Sequence, residues 1–305
     1  MNLVSIITVN FNQSYVTEQL LSSISSTNTY PAIEIIVVDN GSTVNSVPAW
    51  TNKYPDITFI RSDKNLGFAG GNNIGIAAAK GDYYFLVNND TEFTPGLVET
   101  LVKTLEANSR VGMVSPKIRY FDQPDMLQYM GFTDMNYYTS RNSSIGQFEI
   151  DKGQHDHLTG RTGYAHGAAM MVKKECVDRA GLMAENFFLY YEELDWCDRI
   201  KRAGYEIWLQ TAALIYHKES VSVGRVSVLK EYFMNRNRIL FIRRNAPFLA
   251  RLFFYVYFMV FVVPRNVLKY IKIGHKDFIG WLFKAIWWNV TQGKDSKKLG
   301  YPIAI

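Results

Sequence analysis

The sequence predicts an α/β protein built on a mostly parallel, doubly wound sheet. Two observations support this fold class: short β-rich runs alternate with helical patterns over about residues 1–116, and polar residues follow the runs directly. Such alternation is typical of parallel sheets, in which a helix connects each strand to the next. Ligands of these sheets bind in the crevice at the carboxyl ends of the strands, so we expect the polar residues to form a binding site.

The first half of the chain carries the clearest alternation. Its predicted strands are Val4–Val9, Glu34–Val38, Ile57–Arg61, the apolar run Tyr83–Val87, and Val111–Pro116. Its predicted helices begin after Ser14 and cover Asn73–Ala79 and Val98–Leu105. After Ser14, the apolar residues recur at the three- and four-residue spacing of a helix that packs one face on a sheet.

The second half is less regular. Residues 120–163 are rich in Asn, Ser, Asp, Tyr and Gly, and we interpret them as loops and short strands near the site. Regular structure is predicted to return at Gly167–Val172, in an amphipathic helix at Tyr191–Ala203, in a strand at Glu206–Leu209, and in a short apolar run at Ala212–Tyr216.

The end of the fourth predicted strand is the most informative segment. Tyr83–Val87 is apolar and is followed at once by Asn88, Asn89 and Asp90. A carboxylate flanked by amides at the end of a buried strand can hold a divalent cation that binds a diphosphate. A plain turn would use the same residue types, because Asn and Asp are common in turns and helix caps.

Two further segments point to a nucleotide. Asp39 ends the second strand, where its carboxylate can accept hydrogen bonds from a nucleobase imide or a ribose hydroxyl; the alternative is a turn with Asn40-Gly41. Gly67–Asn73 contains three glycines and resembles a phosphate-binding loop before a helix, although it matches neither GxGxxG nor the P-loop pattern. The alternative is a tight loop under the sheet.

An acidic cluster opens the helix predicted at Tyr191–Ala203. It comprises Glu192, Glu193 and Asp195. Acids are favoured in the first turn of a helix by its dipole. Three together repel one another unless one takes part in chemistry, lies near a cation or is well solvated, and one of them could deprotonate a hydroxyl nucleophile.

His217 is the candidate second ligand for a cation held by Asp90. It follows an apolar run, so its imidazole could reach the end of the sheet, although a lone histidine is more often structural. His155, His157 and His166 are weaker candidates, and we expect the first two to be exposed.

These features, in this order, resemble family 2 of the inverting, nucleotide-sugar-dependent glycosyltransferases. The similarity is greatest to the bacterial branch that contains rhamnosyltransferases and galactofuranosyltransferases, and it extends from about Val4 to Pro247. It is carried by the strings Ile7–Asn12, Val37–Ser42, Asn65–Gly75, Leu86–Thr91, Gly167–Met170 and Phe187–Asp195.

The resemblance implies a GT-A type fold that binds a nucleotide-diphosphate sugar, with Asp39 at the nucleoside. The other donor-binding positions that it implies are Asn10, Asn65, Gly70, Gly71, Asn73, Asn88, Asn89, Asp90 and Gly167. Asp90 matches the last acid of the family's Asp-X-Asp motif, whereas Asn88 stands in place of the first acid. The resemblance therefore implies that Asp90 and His217 hold Mg²⁺ or Mn²⁺ together with the diphosphate.

The resemblance also implies the reaction. The family's general base falls in a Glu-Asp pair, which reads Glu192-Glu193 here, so the base would be Glu193, with Glu192 and Asp195 left open. The first donor to consider is dTDP-rhamnose. The implied acceptor is a hydroxyl of a lipid-linked glycan in the synthesis of a cell-surface polysaccharide such as O-antigen.

Charge divides the chain unevenly. Residues 232–305 contain 13 Lys and Arg against 2 Asp and Glu, a net charge of +11, whereas residues 1–231 carry a net charge of −6. The basic tail includes the uncharged run Leu252–Val263, which we expect Pro264 to end, and a tryptophan-rich segment at Phe278–Val290. Twelve residues fall short of the roughly 20 that span a bilayer, so we expect a helix pair lying in an anionic membrane surface.

The alternatives for the tail are a buried core element or an oligomer interface. Nucleic acid is disfavoured as a partner, because long apolar runs without polar interleaving do not suit a phosphate track. We therefore predict a glycosyltransferase domain at residues 1–231, with a donor-binding half at about 1–116 and an acceptor half at about 117–231, and a membrane-associating tail at residues 232–305.

Localisation follows from cysteine content and the N-terminus. Cys176 and Cys197 show neither metal-type nor disulfide spacing, and the N-terminus has no basic region or cleavage site. We predict a cytoplasmic protein, peripheral on the inner face of the plasma membrane. The remaining hypotheses are a non-catalytic scaffold with the same fold, and a nucleotidyltransferase or dehydrogenase; the missing GxGxxG disfavours a dehydrogenase.

Overall fold

The computed structural model describes residues 1–218 and 227–303. The strands are β1 (Val4–Asn10), β2 (Ile33–Asn40), β3 (Thr58–Ser62), β4 (Tyr83–Asn88), β5 (Thr91–Phe93), β6 (Val111–Tyr120), β7 (Leu127–Tyr129), β8 (Gly160–Arg161), β9 (Ala169–Lys173) and β10 (Glu206–His217). The helices are α1 (Ser14–Thr27), α2 (Val47–Lys53), α3 (Gly67–Ala78), α4 (Leu97–Ala107), α5 (Lys174–Ala180), α6 (Glu192–Arg202), α7 (Val228–Asn245), α8 (Phe248–Tyr257), α9 (Val263–Lys272) and α10 (Asp277–Thr291).

One sheet of ten strands organises the described residues, in the order β3-β2-β1-β4-β9-β6-β10-β5, with β7 on β6 and β8 on β10. The first four strands in this order are parallel, as predicted. The remainder is mixed, because β9 runs antiparallel to both β4 and β6, and β5 runs antiparallel to β10. The register pairs Asn10 with Asp39 and Val9 with Asn88, which brings the polar ends of three strands together.

Helices cover both faces of the sheet, so the doubly wound arrangement is confirmed. On one face, α1, α2 and α4 bury residues such as Leu20, Trp50 and Leu101. On the other face, α3, α5 and α6 bury residues such as Ile76 and Trp196. Burial of apolar area on both faces is the main force that holds these layers together.

The predicted glycine loop is wrong, because Gly67–Ala78 is helical. The glycines let α3 approach the sheet closely. A Cβ on Gly71 would lie 2.7 Å from Val9 Cγ1, and one on Gly75 would lie 2.3 Å from Ile7 Cγ2. Because a larger residue would push the helix off the strands, the sequence selects glycine here for packing rather than for a phosphate cradle.

The tail is continuous with the core of the sheet domain. Ile239 and Phe241 of α7, Phe254 of α8 and Trp288 of α10 belong to the same buried apolar cluster as the face covered by α3 and α6. The boundary predicted between residues 231 and 232 falls inside α7, Val228–Asn245. This packing corrects that boundary, since the end of the chain helps to build the core.

The helix that contains the apolar run of the tail extends beyond the run at both ends. α8, a π-helical turn at Phe258–Val262 and α9 form one helix, Phe248–Lys272, of 25 residues, in which a window of 18 residues has a mean hydropathy of 1.6. Pro264 does not end it, because it lies in the first turn of α9 after the π-helical turn, where a missing N–H costs little. Length and composition alone would let this helix cross a membrane, although it also packs one side on the protein.

The opposite side of this helix forms an exposed apolar face. We define this face as Phe248, Leu249, Leu252, Phe253, Val256, Met259, Val260 and Phe261, which are all exposed. Trp287 and Val290 of α10 are exposed as well. A contiguous exposed apolar surface of this kind marks an interaction site rather than a solvated face.

Candidate active site

The carboxyl ends of β1 and β2 form a buried polar cluster around Asp39. Asp39 is fully buried; it accepts a hydrogen bond from Asn10 Nδ2 (3.1 Å) and forms an ion pair with Arg61. Asn10 Nδ2 also donates to Ser42 Oγ (3.0 Å), and the Arg61 guanidinium donates to the Ser42 carbonyl (2.7 Å). The predicted Asp39 and Asn10 therefore lie together, with an arginine that the sequence analysis did not identify.

Asn65 lies next to this cluster and shapes the turn into α3. Its Oδ1 accepts hydrogen bonds from Asn40 Nδ2 (3.1 Å) and from the Gly67 amide (2.8 Å). Gly67 has a φ of +72°, which favours glycine, and a Cβ there would collide with the Phe188 carbonyl. This segment thus joins the ends of the strands to the segment before α6.

Asp90 and His217 lie together, as the sequence predicts, although 127 positions separate their numbers. His217 Nε2 is 3.1 Å from Asp90 Oδ1, and both side chains are about 7% exposed. Asn88 Nδ2 is 3.4 Å from the same nitrogen. Asn89 points away and donates to Thr17 Oγ1 (3.1 Å) under α1.

The pair has the donor set of a cation site. His217 Nδ1 is 2.8 Å from Gln128 Oε1, so Nδ1 carries the proton of that hydrogen bond and Nε2 offers a lone pair. Asp90 Oδ1 is buried and receives no hydrogen bond from the described residues. Two acceptors face each other, and a divalent cation would satisfy both, because ligands of one Mg²⁺ stand about 3 Å apart.

Asp90 and His217 supply only two of the ligands that a divalent cation needs. Within residues 1–218 and 227–303, no cluster of three or more His, Cys, Asp or Glu side chains could hold a metal. A cation at Asp90 and His217 would therefore need oxygens from a bound ligand. That requirement suits a nucleotide diphosphate, because Mg²⁺ is commonly bound by one or two carboxylates together with substrate phosphates.

The segment His166–Ala168 connects this pair to the acidic cluster. The His166 ring stands 6.2 Å from the His217 ring, and the Ala168 carbonyl accepts a hydrogen bond from the Asn88 amide (3.0 Å). A Cβ on Gly167 would lie 3.9 Å from Glu193 Cγ. Burial, together with repulsion from His217, lowers the pKa of His166 to about 3, so this histidine is neutral near pH 7.

Glu193 and Glu192 occupy different environments at the start of α6. Burial raises the pKa of both carboxyl groups, and for Glu192 the charge of Glu193 raises it further. Glu192 is buried and its Oε2 has no hydrogen-bond partner among the described residues, whereas Glu193 is partly exposed beside Gly167. Glu193 can therefore reach a ligand in the crevice, and a raised pKa makes its carboxylate a stronger base.

Asp195 belongs to a structural network instead. Its two oxygens are held by Arg199 Nε (2.9 Å), Arg244 Nε (3.0 Å) and Asn245 Nδ2 (2.9 Å). Burial alone would raise the pKa of Asp195, but Arg244 and Arg199 lower it below its usual range. A fully buried carboxylate that is saturated with donors is a poor proton acceptor, so the choice narrows to Glu193 and Glu192.

The segment before α6 is strained and is held from the tail. Phe188, Tyr190 and Tyr191 all have φ between 66° and 74°, which non-glycine residues rarely adopt. Asn237 Nδ2 on α7 is 2.7–2.8 Å from the carbonyls of Phe187, Leu189 and Tyr190. A residue of the predicted tail, Asn237, thus positions the acidic cluster.

Besides Asn89, three more predicted donor-binding residues do not face the crevice. Asn73 is buried and bonds the Met183 carbonyl and Glu185 Oε1, both at 3.0 Å. Gly70 and Gly71 lie inside α3, where they serve packing. The sequence analysis missed Arg61 and Gln128, which lie in short strands, and Asn237, which lies in a helix, because a single polar residue in such an element carries no local pattern that marks a site.

Solved structures identify the fold. The mannosyltransferase PcManGT from Pyrobaculum calidifontis, in complex with GDP-Man and Mn²⁺, is similar over 95% of this chain and 87% of its own, with a TM-score of 0.59 and 15% identity. S. aureus TarS 1–349, in complex with UDP-GlcNAc, is similar over 94% and 81%, with a TM-score of 0.62 and 14% identity. The fold is that of the GT-A glycosyltransferases.

The family follows from the sequence. The model of glycosyl transferase family 2 matches residues 5–175, more than half of the chain, so the protein belongs to this family and is a transferase. It is 28% identical to the low-salt glycan biosynthesis hexosyltransferase Agl10 of Haloferax volcanii over 77% of this chain and 74% of the relative. It is 23% identical to the N-acetylglucosaminyl-diphospho-decaprenol L-rhamnosyltransferase of Mycobacterium tuberculosis over 68% and 73%.

Proposed function

We propose that this protein is an inverting glycosyltransferase that moves a sugar from a nucleotide-diphosphate donor to a hydroxyl of a lipid-linked glycan. The observation that carries the proposal is the position of His166–Ala168. The His166 ring stands 6.2 Å from the His217 ring, and a Cβ on the next residue, Gly167, would lie 3.9 Å from Glu193 Cγ. A candidate diphosphate site and a candidate base thus share one crevice at the carboxyl ends of the strands.

On the donor side, Asp39 would bind the nucleoside, and part of the Arg61 side chain, 30% exposed, lies beside it. Asp90 Oδ1 and His217 Nε2 would hold Mg²⁺ or Mn²⁺ with the diphosphate oxygens. When bound, such a cation neutralises the negative charge that develops on the leaving diphosphate. Gln128 holds the imidazole of His217 in the orientation that presents Nε2.

On the acceptor side, Glu193 takes the proton of the attacking hydroxyl. The hydroxyl oxygen forms a bond to the anomeric carbon as the bond from that carbon to the diphosphate oxygen breaks. Attack from the face opposite the leaving group inverts the configuration in a single displacement. Glu192, a buried neighbour with a raised pKa, is better suited to stay protonated.

The donor sugar and the site of action are the finer parts of the proposal. Rhamnose from dTDP-rhamnose is the first donor to test, supported by the relative described as an L-rhamnosyltransferase. The same relative's acceptor is a lipid diphosphate sugar by its name, which supports a lipid-linked acceptor here. The exposed apolar face and the net charge of +11 over residues 232–305 support docking on an anionic membrane, on its cytoplasmic side.

The test is transfer from a panel of nucleotide sugars, dTDP-rhamnose first, to a lipid-diphosphate-linked N-acetylglucosamine, with Mn²⁺, with Mg²⁺ or with EDTA. We expect one donor to be used and EDTA to abolish transfer. A chain that binds nucleotide sugars but transfers none of them would favour a non-catalytic scaffold. Cleavage between the two phosphates, which would release the sugar 1-phosphate and transfer the nucleoside monophosphate, would favour a nucleotidyltransferase.

A further inference from the structure

Three arginines lie together without carboxylate partners: Arg141, Arg238 on α7 and Arg265 on α9. Burial lowers the pKa of Arg238, and the positive charges of Arg141 and Arg265 lower it further, so both lie within electrostatic range of Arg238. None of them forms an ion pair with an acid in the described parts of the chain. Arg238 is partly buried beside two like charges, and a bound anion would stabilise its guanidinium.

Unpaired hydrogen-bonding groups surround the same cluster. The buried side-chain atoms Arg238 Nε and Asn142 Nδ2 have no hydrogen-bond partner among the described residues. Ser140 is 4% exposed and has a φ of +50°, and Arg238 Nη2 donates to the Thr139 carbonyl, which ties this loop to α7. Buried donors without partners are destabilising, so their convergence points to a ligand with several acceptor oxygens.

The cluster lies between the candidate base and the exposed apolar face. Burial raises the pKa of Tyr191, while Arg238 lowers it and Glu193 raises it, so the tyrosine is within electrostatic reach of both. On the other side, the Arg141 guanidinium is 5.8 Å from the Tyr257 ring, and that of Arg238 is 5.8 Å from the Phe258 ring. Both rings belong to the helix that carries the exposed apolar face.

We propose that Arg141, Arg238 and Arg265, with the Ser140–Asn142 loop, bind the phosphate groups that join a lipid to the acceptor sugar. This inference rests on the proposed function and deepens it. A lipid phosphate ester would place its chain along the exposed apolar face, its phosphate oxygens on the arginines, and its sugar hydroxyl towards Glu193. Arginine suits this role because its planar guanidinium binds phosphate with two parallel hydrogen bonds.

The test compares two double variants of the full chain in detergent micelles, with farnesyl diphosphate as the probe and farnesol as the phosphate-free control. R141Q/R265Q removes two exposed arginines of the cluster and leaves Arg238, which holds Thr139, in place. K272Q/K276Q removes two exposed lysines nearby and causes the same loss of charge. We expect R141Q/R265Q to bind farnesyl diphosphate roughly tenfold or more weakly and K272Q/K276Q to bind it as the parent does.

The outcomes distinguish a lipid-linked acceptor from a bilayer lipid as the source of the phosphate. They also distinguish failure of this inference from failure of the proposed function. Equal binding of farnesyl diphosphate by both double variants would overturn the inference. So would a selective loss by R141Q/R265Q of binding only to phosphatidylglycerol-containing vesicles, because the arginines would then recognise bilayer lipid. Binding of farnesyl diphosphate needs no turnover, so the arginines can be shown to bind phosphate even if the protein transfers no sugar. Thermal shifts with nucleoside diphosphates should be unchanged in R141Q/R265Q, which shows that the donor site is intact.

Discussion

The donor-binding half of the sheet and the C-terminal helices are both rich in apolar residues, but they use them differently. In β1, β2 and β4, apolar residues are buried and polar residues stand at the strand ends, so sequence order alone locates the crevice. In the Phe248–Lys272 helix, apolar residues lie on all sides, and one side packs on the protein while the other is exposed. The difference shows that a continuous apolar sequence does not indicate whether its residues pack on the protein or face another surface.

The largest expected effect comes from removing the tail after Pro247. Phe254, Phe258, Leu282 and Trp288 would be lost from the core cluster, and each buried side chain of this size contributes roughly 1.5–3 kcal/mol. Because that sum is comparable to the whole stability of a typical domain, we expect aggregation or no folded protein. Circular dichroism and thermal melting of the truncated chain measure this.

A matched variant distinguishes the role of the tail in packing from its role in membrane contact. L252Q/V256Q changes two exposed residues of the apolar face and should keep the parent's melting temperature while binding vesicles more weakly. A stable, soluble protein that ends at Pro247 would show instead that the tail is the separate unit that the charge pattern suggests.

Glu193→Gln should lower transfer by about 10²–10⁴-fold with donor binding nearly unchanged, because only proton acceptance is lost. Glu192→Gln is the control: burial and Glu193 raise the pKa of Glu192 well above its ordinary value, so an amide mimics its protonated form. Rates of transfer and donor affinities of both variants are compared. An inactive Glu192→Gln beside an active Glu193→Gln would reverse the assignment.

The pH profile supplies a second check on the same pair. Since burial raises the pKa of Glu193, the active carboxylate form is lost as the pH falls through a value above the usual range for Glu. The raised pKa of Glu192 affects stability. The protonated form of Glu192 stabilises the fold, and this contribution is lost as the pH rises through its raised pKa. The melting temperature of Glu192→Gln should therefore fall less with rising pH than that of the parent.

Asp90→Ala should reduce transfer by roughly a hundredfold or more and weaken binding of nucleoside diphosphates, since it removes one of two candidate cation ligands. Asp63→Ala, an exposed acid after β3, is the matched control and should leave both quantities unchanged. Titration of Mn²⁺ in the presence of a nucleoside diphosphate measures the effect. Full activity of the parent in excess EDTA would show that transfer needs no divalent cation.

The smallest expected effect concerns salt. Membrane attraction of the basic tail is screened within about 8 Å at physiological ionic strength, whereas burial of the apolar face in lipid is not. We expect high salt to weaken binding to phosphatidylglycerol-containing vesicles severalfold without releasing the protein. Complete release in a flotation assay would mean that charge alone holds it there.

The sequence was sufficient for the parallel strands and for the meeting of Asp90 with His217, because strand ends carry local patterns that the sheet brings to one edge. It is not sufficient for α3, because the glycines of Gly67–Asn73 predict a loop. In the structure, the close fit of this helix against Val9 outweighs the poor helix propensity of glycine. Nor did it identify Asn237 or Gln128, whose roles arise only from tertiary contacts.

The most direct test of the central claim is the anomeric configuration of the product, determined by nuclear magnetic resonance after transfer from a donor of known configuration. With Glu193 as base and a single displacement at the crevice beside Asp90 and His217, the product must have the opposite configuration to the donor. A product that retains the donor's configuration would require an intermediate that this arrangement does not supply, and it would contradict the account.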